Sequence, residues 1–187
     1  AQNGLLIQSN RIATIKKISS AQENSTTTFP IAELSLSKAN GDLTTDEDEF
    51  VKALSENRHL DIMAGRTLIG PHRSDMEATY KEKGISAKDS STGEQKAMLI
   101  SIVLANARAL KLELGYPPVI LLDEISAHLD IDRRGALYEE INALGAQAWM
   151  TGTDKNLFSE FGCKAKYFHV IESSDISDIK EVDSSVD

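Results

Sequence analysis

Two adjacent carboxylates, Asp123 and Glu124, close the apolar run Val119-Ile120-Leu121-Leu122. If that run is a strand in a parallel sheet, its C-terminal edge can hand the first carboxylate to a divalent cation and the second to a water attacking a phosphoryl group. About 30 residues upstream, Ser91-Thr92-Gly93-Glu94-Gln95-Lys96 stands directly before a long apolar stretch of helical character. Free backbone N–H groups and the positive end of a helix dipole at that point can bind an anion. Each signal also has a plain structural reading. Polar residues follow buried strands in every α/β protein, and Ser91 with Glu94 satisfies the S-x-x-E capping box, which accounts for a helix start without requiring Gly93 or Gln95. The ordered set discriminates better: helix start, apolar strand with Asp-Glu, then Ser126-Ala127-His128-Leu129-Asp130.

The elements that must position these residues follow from periodicity and punctuation. Glu94 to Leu114 is expected to be a long helix, apolar on most sides (Ala97, Met98, Ile100, Ile102, Val103, Leu104, Ala107, Leu110) and therefore buried. Gly115 stops it, Pro117-Pro118 prevents a restart, and Val119 to Leu122 reads as a strand buried on both faces. A helix over Arg133 to Leu144, a strand over Ala148 to Thr151 with Trp149 in the core, a short helix over Asn156 to Phe161 and a strand over Tyr167 to Ile171 complete an alternating α/β pattern. Before this block, residues 1 to 18 read as the end of an amphipathic helix and Ser19 to Thr28 as an exposed loop. Phe29 to Ser37 alternates like a strand, and Asn40-Gly41 suits a turn. Thr44 with Glu47 suggests a capped helix to about Ile62, with Phe50 and Leu54 inward, and Arg66 to Ile69 reads as a strand ended by Gly70-Pro71.

Composition adds boundaries. The 187 residues carry a formal net charge of -9, 41% apolar residues and one cysteine, Cys163, which cannot form an internal disulfide. No apolar run reaches the ~20 residues a bilayer span requires, so no membrane partner is expected; the single cysteine and the lack of a signal-like N-terminal stretch give the expectation of a cytoplasmic location. The charge is concentrated in Asp46 to Asp61 and in Glu172 to Asp187, leaving the remainder neutral, so acidity neither supports nor excludes a DNA partner. The Ser/Asp-rich end after Ile171 reads as a disordered tail.

Ser91-Thr92-Gly93-Glu94-Gln95-Lys96, the strand with Asp123-Glu124 and the loop to Asp130 together resemble the signature motif, Walker B strand and D-loop of an ABC ATPase. Thr67-Leu68-Ile69-Gly70-Pro71-His72-Arg73-Ser74-Asp75 and Thr151-Gly152-Thr153-Asp154 narrow the resemblance to the RecF kind, over residues from about Ala64 to Ile171. The fold it implies is α/β, the C-terminal part of an ABC-type ATPase head (a parallel-rich sheet flanked by helices) with a remnant of a helical arm. Residues 1–28 would be the end of the arm and a loop, 29–171 the head and 172–187 the tail. The resemblance further implies ATP and Mg²⁺ as ligands, with Asp123 on the metal side and Glu124 as general base. It places Ser91, Thr92, Gly93, Glu94 and Gln95 against the nucleotide of the opposite protomer, and Ser126, His128 and Asp130 at the interface of an ATP-dependent homodimer. The implied role is recombinational DNA repair and replication-fork maintenance within the SOS response, on single-stranded or gapped DNA, aiding recombinase loading with other recombination mediators. A non-enzymatic DNA clamp of ABC shape and an SMC-type head are the alternatives.

Three departures qualify that picture. Ser90 stands where the family usually has Leu, and Thr151-Gly152 occupies the neighbourhood where transporters place a γ-phosphate-touching His; a hydroxyl from Thr151 or Thr153 could substitute there, without carrying a proton. The third departure concerns the P-loop. Gly65 to Gly70 begins like G-x-x-x-x-G-K-[ST] but continues Pro71-His72, and Pro71 has no N–H to offer a phosphate. The expectation is that the P-loop lies in a missing N-terminal half and that these 187 residues alone are inactive. His72-Arg73 could approach DNA phosphate or serve structure, with structure favoured.

Overall fold

The computed structural model describes residues 1–25, 27–37, 46–124, 129–173 and 176–182. The expected Asn40-Gly41 turn, the Thr44 cap, and Ser126 and His128 lie outside the described residues. The chain divides into two compact units, Ala1–Tyr116 and Pro117–Asp187.

The first unit is organised around two long helices, α1 (Gln2–Glu23) and α4 (Thr92–Leu114), which pack with strand β1 (Ala32–Leu36). Ile18, Ala21 and Ala105 are buried together, with Leu34, Ile102 and Ala109 against them. Helix α1 continues through Ser19 to Glu23, where a loop is expected, and its buried Gln22 finds hydrogen-bond partners in the interior. Its side chain donates to the Ala32 carbonyl (2.9 Å) and accepts from the Ala32 N–H (2.9 Å) and from the Ser101 hydroxyl (3.2 Å). An unsatisfied buried amide would cost ~1–3 kcal/mol, so this bonding is what permits a polar residue there.

The expected single helix near Phe50 is two helices, α2 (Glu47–Glu56) and α3 (Arg58–Ala64), broken at Asn57. Its start is capped by Asp46, whose carboxylate accepts from the Glu49 N–H, and Phe50 is buried. Phe50 lies so near α1 that a Cβ on Gly4 would come within 2.8 Å of its ring. Arg66 to Ile69 is not a strand: the Leu68 N–H bonds to the Asp61 carboxylate (2.9 Å) instead of to a neighbouring strand, and the segment runs into a 3-10 turn at Pro71–Arg73. Beyond it, β1 pairs antiparallel with β2 (Met76–Tyr80), and β2 with β3 (Ile85–Ser86), a hairpin absent from the sequence expectation.

The second unit contains the parallel pair. Strands β4 (Ile120–Leu122) and β5 (Ala148–Met150) run parallel with Leu122 opposite Met150, joined by helix α5 (Ile131–Leu144). Leu137, Tyr138, Ile141 and Leu144 of α5 are buried. The pair is not buried on both faces: Ile120 and Leu122 are, whereas Leu121 is 74% exposed and Trp149, across the ladder from it, 54%. Only one side of a pleated strand is covered when alternate residues point to opposite faces, and Leu121 and Trp149 share the uncovered one. The segment Lys155–Lys164 is 3-10 helical, with Phe161 stacked on Tyr138.

Strand β6 (Tyr167–Ser173) pairs antiparallel with β7 (Ile176–Val182), where a disordered tail is expected. Val170 faces Ile179, Tyr167 faces Val182, and Lys166 and Glu181 form an ion pair of 3.1 Å. The acidic composition that suggests disorder is compatible with a two-stranded ribbon, because pairing with the preceding strand satisfies the backbone while Asp and Glu remain in solvent.

Candidate functional site

The start of α4 is a complete capping box. The Glu94 N–H donates to the Ser91 hydroxyl (3.4 Å), and the Glu94 carboxylate accepts from both the Ser91 N–H and the Ser91 hydroxyl (2.9 Å each). Its other oxygen is held by the Lys83 ammonium, which the β2–β3 turn delivers and which also lies 5.2 Å from the centre of the Tyr80 ring. The Lys83 hydrogen bond, then the Ser91 N–H and hydroxyl, lower the Glu94 pKa from 4.5 to about 2. Lys83 is the residue the sequence reading missed. Its only signal is a turn pattern, Lys81-Glu82-Lys83-Gly84, just ahead of the cap, with Gly84 at φ 63.

Gln95 ties the preceding loop down by donating to the carbonyls of Ala87 (2.8 Å) and Ser90 (3.1 Å), and the Ser90 hydroxyl donates to the Ser86 carbonyl (3.1 Å). Polar bonds thus hold the segment where the family's Leu would pack. Ser91 and Thr92 are exposed. A Cβ built on Gly93 meets no atom within 4 Å, so the packing of the chain itself does not require glycine there.

In the second unit, Asp123 and Glu124 follow β4 and are both exposed. The β4–β5 ladder is extended by the Thr151 N–H, which donates to the Leu122 carbonyl (3.0 Å) and so sets Thr151 beside the two acids. The Thr151 hydroxyl donates to Asp123 Oδ1 and accepts from the Glu124 N–H (3.1 Å). Glu124 has φ 50, the one described non-glycine residue in the left-handed region, a conformation costing roughly 1–2 kcal/mol that persists where surroundings enforce it. After Thr151, Gly152 is closely approached: a Cβ there would fall 2.8 Å from the Phe158 ring, which would have to shift.

The donor set suits a hard cation held jointly with a phosphate ligand. Asp123 Oδ1 is oriented by Thr151, and among the described residues no group of three or more His, Cys, Asp or Glu forms a cage. Mg²⁺ is commonly bound by one or two carboxylates with substrate phosphates and water completing its shell. Of the other expected site residues, Asp130 caps α5, accepting from the Arg133 N–H (2.8 Å) and pairing with its side chain (3.6 Å). Thr153 is exposed. In the first unit, His72 Nε2 lies 2.9 Å from the Thr67 carbonyl, a bond within its own loop that fits the structural reading of Pro71–Arg73. Among the described residues no helix is long and apolar enough to cross a membrane.

No family model matches the chain. Curated relatives do. A DNA replication and repair protein RecF of Rhizobium leguminosarum bv. trifolii is 49% identical over 152 residues, 79% of this chain and 41% of the relative. That of Agrobacterium fabrum is 48% identical over 147 residues, 76% of this chain and 39% of the relative. The chain therefore spans about two fifths of the length of these relatives. Among solved structures, the recombination mediator protein RecF with ATP, of the RecFOR pathway, superposes with a TM-score of 0.56 at 22% identity, over 79% of this chain and 40% of that one. A structure from work on ATP-driven dimerisation and DNA-stimulated activation of SMC ATPases superposes at 0.52 and 16% identity, over 94% of this chain and 89% of that one. Both likenesses are of fold: the α/β architecture is shared with RecF and SMC ATPase structures.

Proposed function

This chain belongs to the RecF family of DNA replication and repair proteins, and from that premise we propose that it supplies the signature and Walker B elements of an ATP-dependent machine that closes as a pair on DNA. The observation that carries the reading is the placement of Asp123 and Glu124 on the exposed C-terminal edge of the parallel β4–β5 pair, oriented by one hydroxyl. In α/β sheets that edge is where ligands bind. Asp123 offers a carboxylate to Mg²⁺, which when bound neutralises phosphate charge, and Glu124 takes the proton of the attacking water. Ser91, Thr92, Gly93, Glu94 and Gln95 act on the ATP of a second protomer, and Asp130 belongs to the shared interface. The open space around Gly93 supports this, since close approach of an external phosphate needs a glycine where internal packing does not. In this scheme ATP drives dimerisation, hydrolysis reopens the dimer, and the cycle acts on single-stranded or gapped DNA to aid recombinase loading with other recombination mediators in the cytoplasm.

An SMC-type head has the same fold, and 47–50% identity to RecF proteins favours the RecF reading. A non-enzymatic clamp would have no need of both carboxylates. The test is Glu124→Gln in the full-length protein: ATP turnover should fall by roughly 100-fold or more, and an ATP-dependent dimer should persist by light scattering. Unchanged turnover would overturn the mechanism.

A further inference from the structure

We propose that Thr151 is the positioning residue of the carboxylate pair, setting the rotamer of Asp123 and the backbone of Glu124. This rests on the phosphoryl-transfer reading above. The case starts from the capacity of a hydroxyl, which has one proton to donate. That proton is given to Asp123 Oδ1, and the oxygen accepts the Glu124 N–H at 3.1 Å. The hydroxyl is thus engaged on both sides by the carboxylate pair. The backbone adds a second observation: Glu124 has φ 50, in the left-handed region that residues other than glycine rarely adopt, and its N–H is the group Thr151 holds. A single side chain therefore orients the metal-side acid and fixes the backbone from which the general base projects.

The position of Thr151 is itself fixed from both sides. Its N–H continues the parallel ladder to the Leu122 carbonyl (3.0 Å), and Gly152 after it lets Phe158 approach to a distance that no side chain would allow. Where transporters place a side chain that touches the γ-phosphate, Thr151 takes a supporting place beside the carboxylates. Groups of this kind, one bond removed from the reacting atoms, typically change metal affinity or rate when lost without changing the ligands themselves.

The experiment compares Thr151→Val, Thr151→Ser and Glu124→Gln in the full-length protein. Valine keeps the shape and removes the hydroxyl; serine keeps the hydroxyl. ATP turnover is measured across ATP concentration, and Mn²⁺ binding to the ATP complex is followed by electron paramagnetic resonance. Thr151→Val should lower kcat and weaken Mn²⁺ binding, each by about 10-fold, with KM for ATP within about twofold of wild type and with serine restoring both. Wild-type kcat in Thr151→Val, or a raised KM at unchanged kcat, alongside an inactive Glu124→Gln protein, overturns the role of Thr151 and leaves the phosphoryl-transfer reading standing. Normal turnover in Glu124→Gln removes that reading and this inference with it.

Discussion

Lys83 and Glu94 form an ion pair that ties the β2–β3 turn to the first turn of α4, with the same Glu94 carboxylate accepting from the N–H and hydroxyl of Ser91. The acid that completes the helix cap therefore also occupies the hydrogen-bonding capacity of the serine expected to meet a phosphate. Two elements that are separate in sequence are coupled at the point where the chain is expected to sense nucleotide.

Acid titration should expose that coupling. The Glu94 pKa is lowered from 4.5 to about 2, so the stability it contributes is fully present above 4.5 and is lost as pH falls towards 2. Replacing Lys83 with Met removes the first cause of the shift. Thermal unfolding of the two proteins should differ near neutral pH and converge as pH falls through that window; a gap independent of pH would show that Lys83 acts by packing alone.

Capping and phosphate contact at Ser91 can be separated by choice of substitution. Asparagine is as good an N-cap as serine and its amide can still donate to the Glu94 carboxylate, whereas alanine costs about 1 kcal/mol. Ser91→Asn should unfold within about 1 kcal/mol of wild type and yet weaken ATP-driven dimerisation of the full-length protein, since its bulkier side chain stands in the way of a phosphate. Normal dimerisation of this variant, measured by analytical ultracentrifugation, would leave Ser91 as a cap only.

Gly152→Ala tests the support behind Thr151. The added Cβ meets the Phe158 ring at 2.8 Å and must displace it. Overpacking of this kind costs roughly 1–3 kcal/mol. The melting temperature should fall, whereas Gly93→Ala, with no atom within 4 Å of its new Cβ, should leave it unchanged and instead impair ATP-driven association.

The interior of the first unit depends on α4. Leu104 is fully buried, and Leu104→Ala should destabilise by about 2–5 kcal/mol in urea denaturation. The same truncation at Leu112, 84% exposed, should have an effect near zero.

The local grammar of the chain was legible in its sequence. Ser91 with Glu94 marks the start of α4, Gly115 its end, and the apolar run before Asp123-Glu124 marks β4; these signals depend on neighbours within a few residues and on the periodicity of side chains. What depended on distant partners was hidden. Gln22 looks like a loop residue until Ala32 and Ser101 satisfy its amide. The β2–β3 hairpin carries too weak an apolar alternation to stand out, and β7 reads as an acidic tail until β6 pairs with it. Leu121 and Trp149 look like core because apolar character says nothing of which face of a strand is covered. Sequence left Thr151 and Thr153 alike; the parallel register, pairing Leu122 with Met150, brings Thr151 into hydrogen-bonding reach of Asp123 and Glu124.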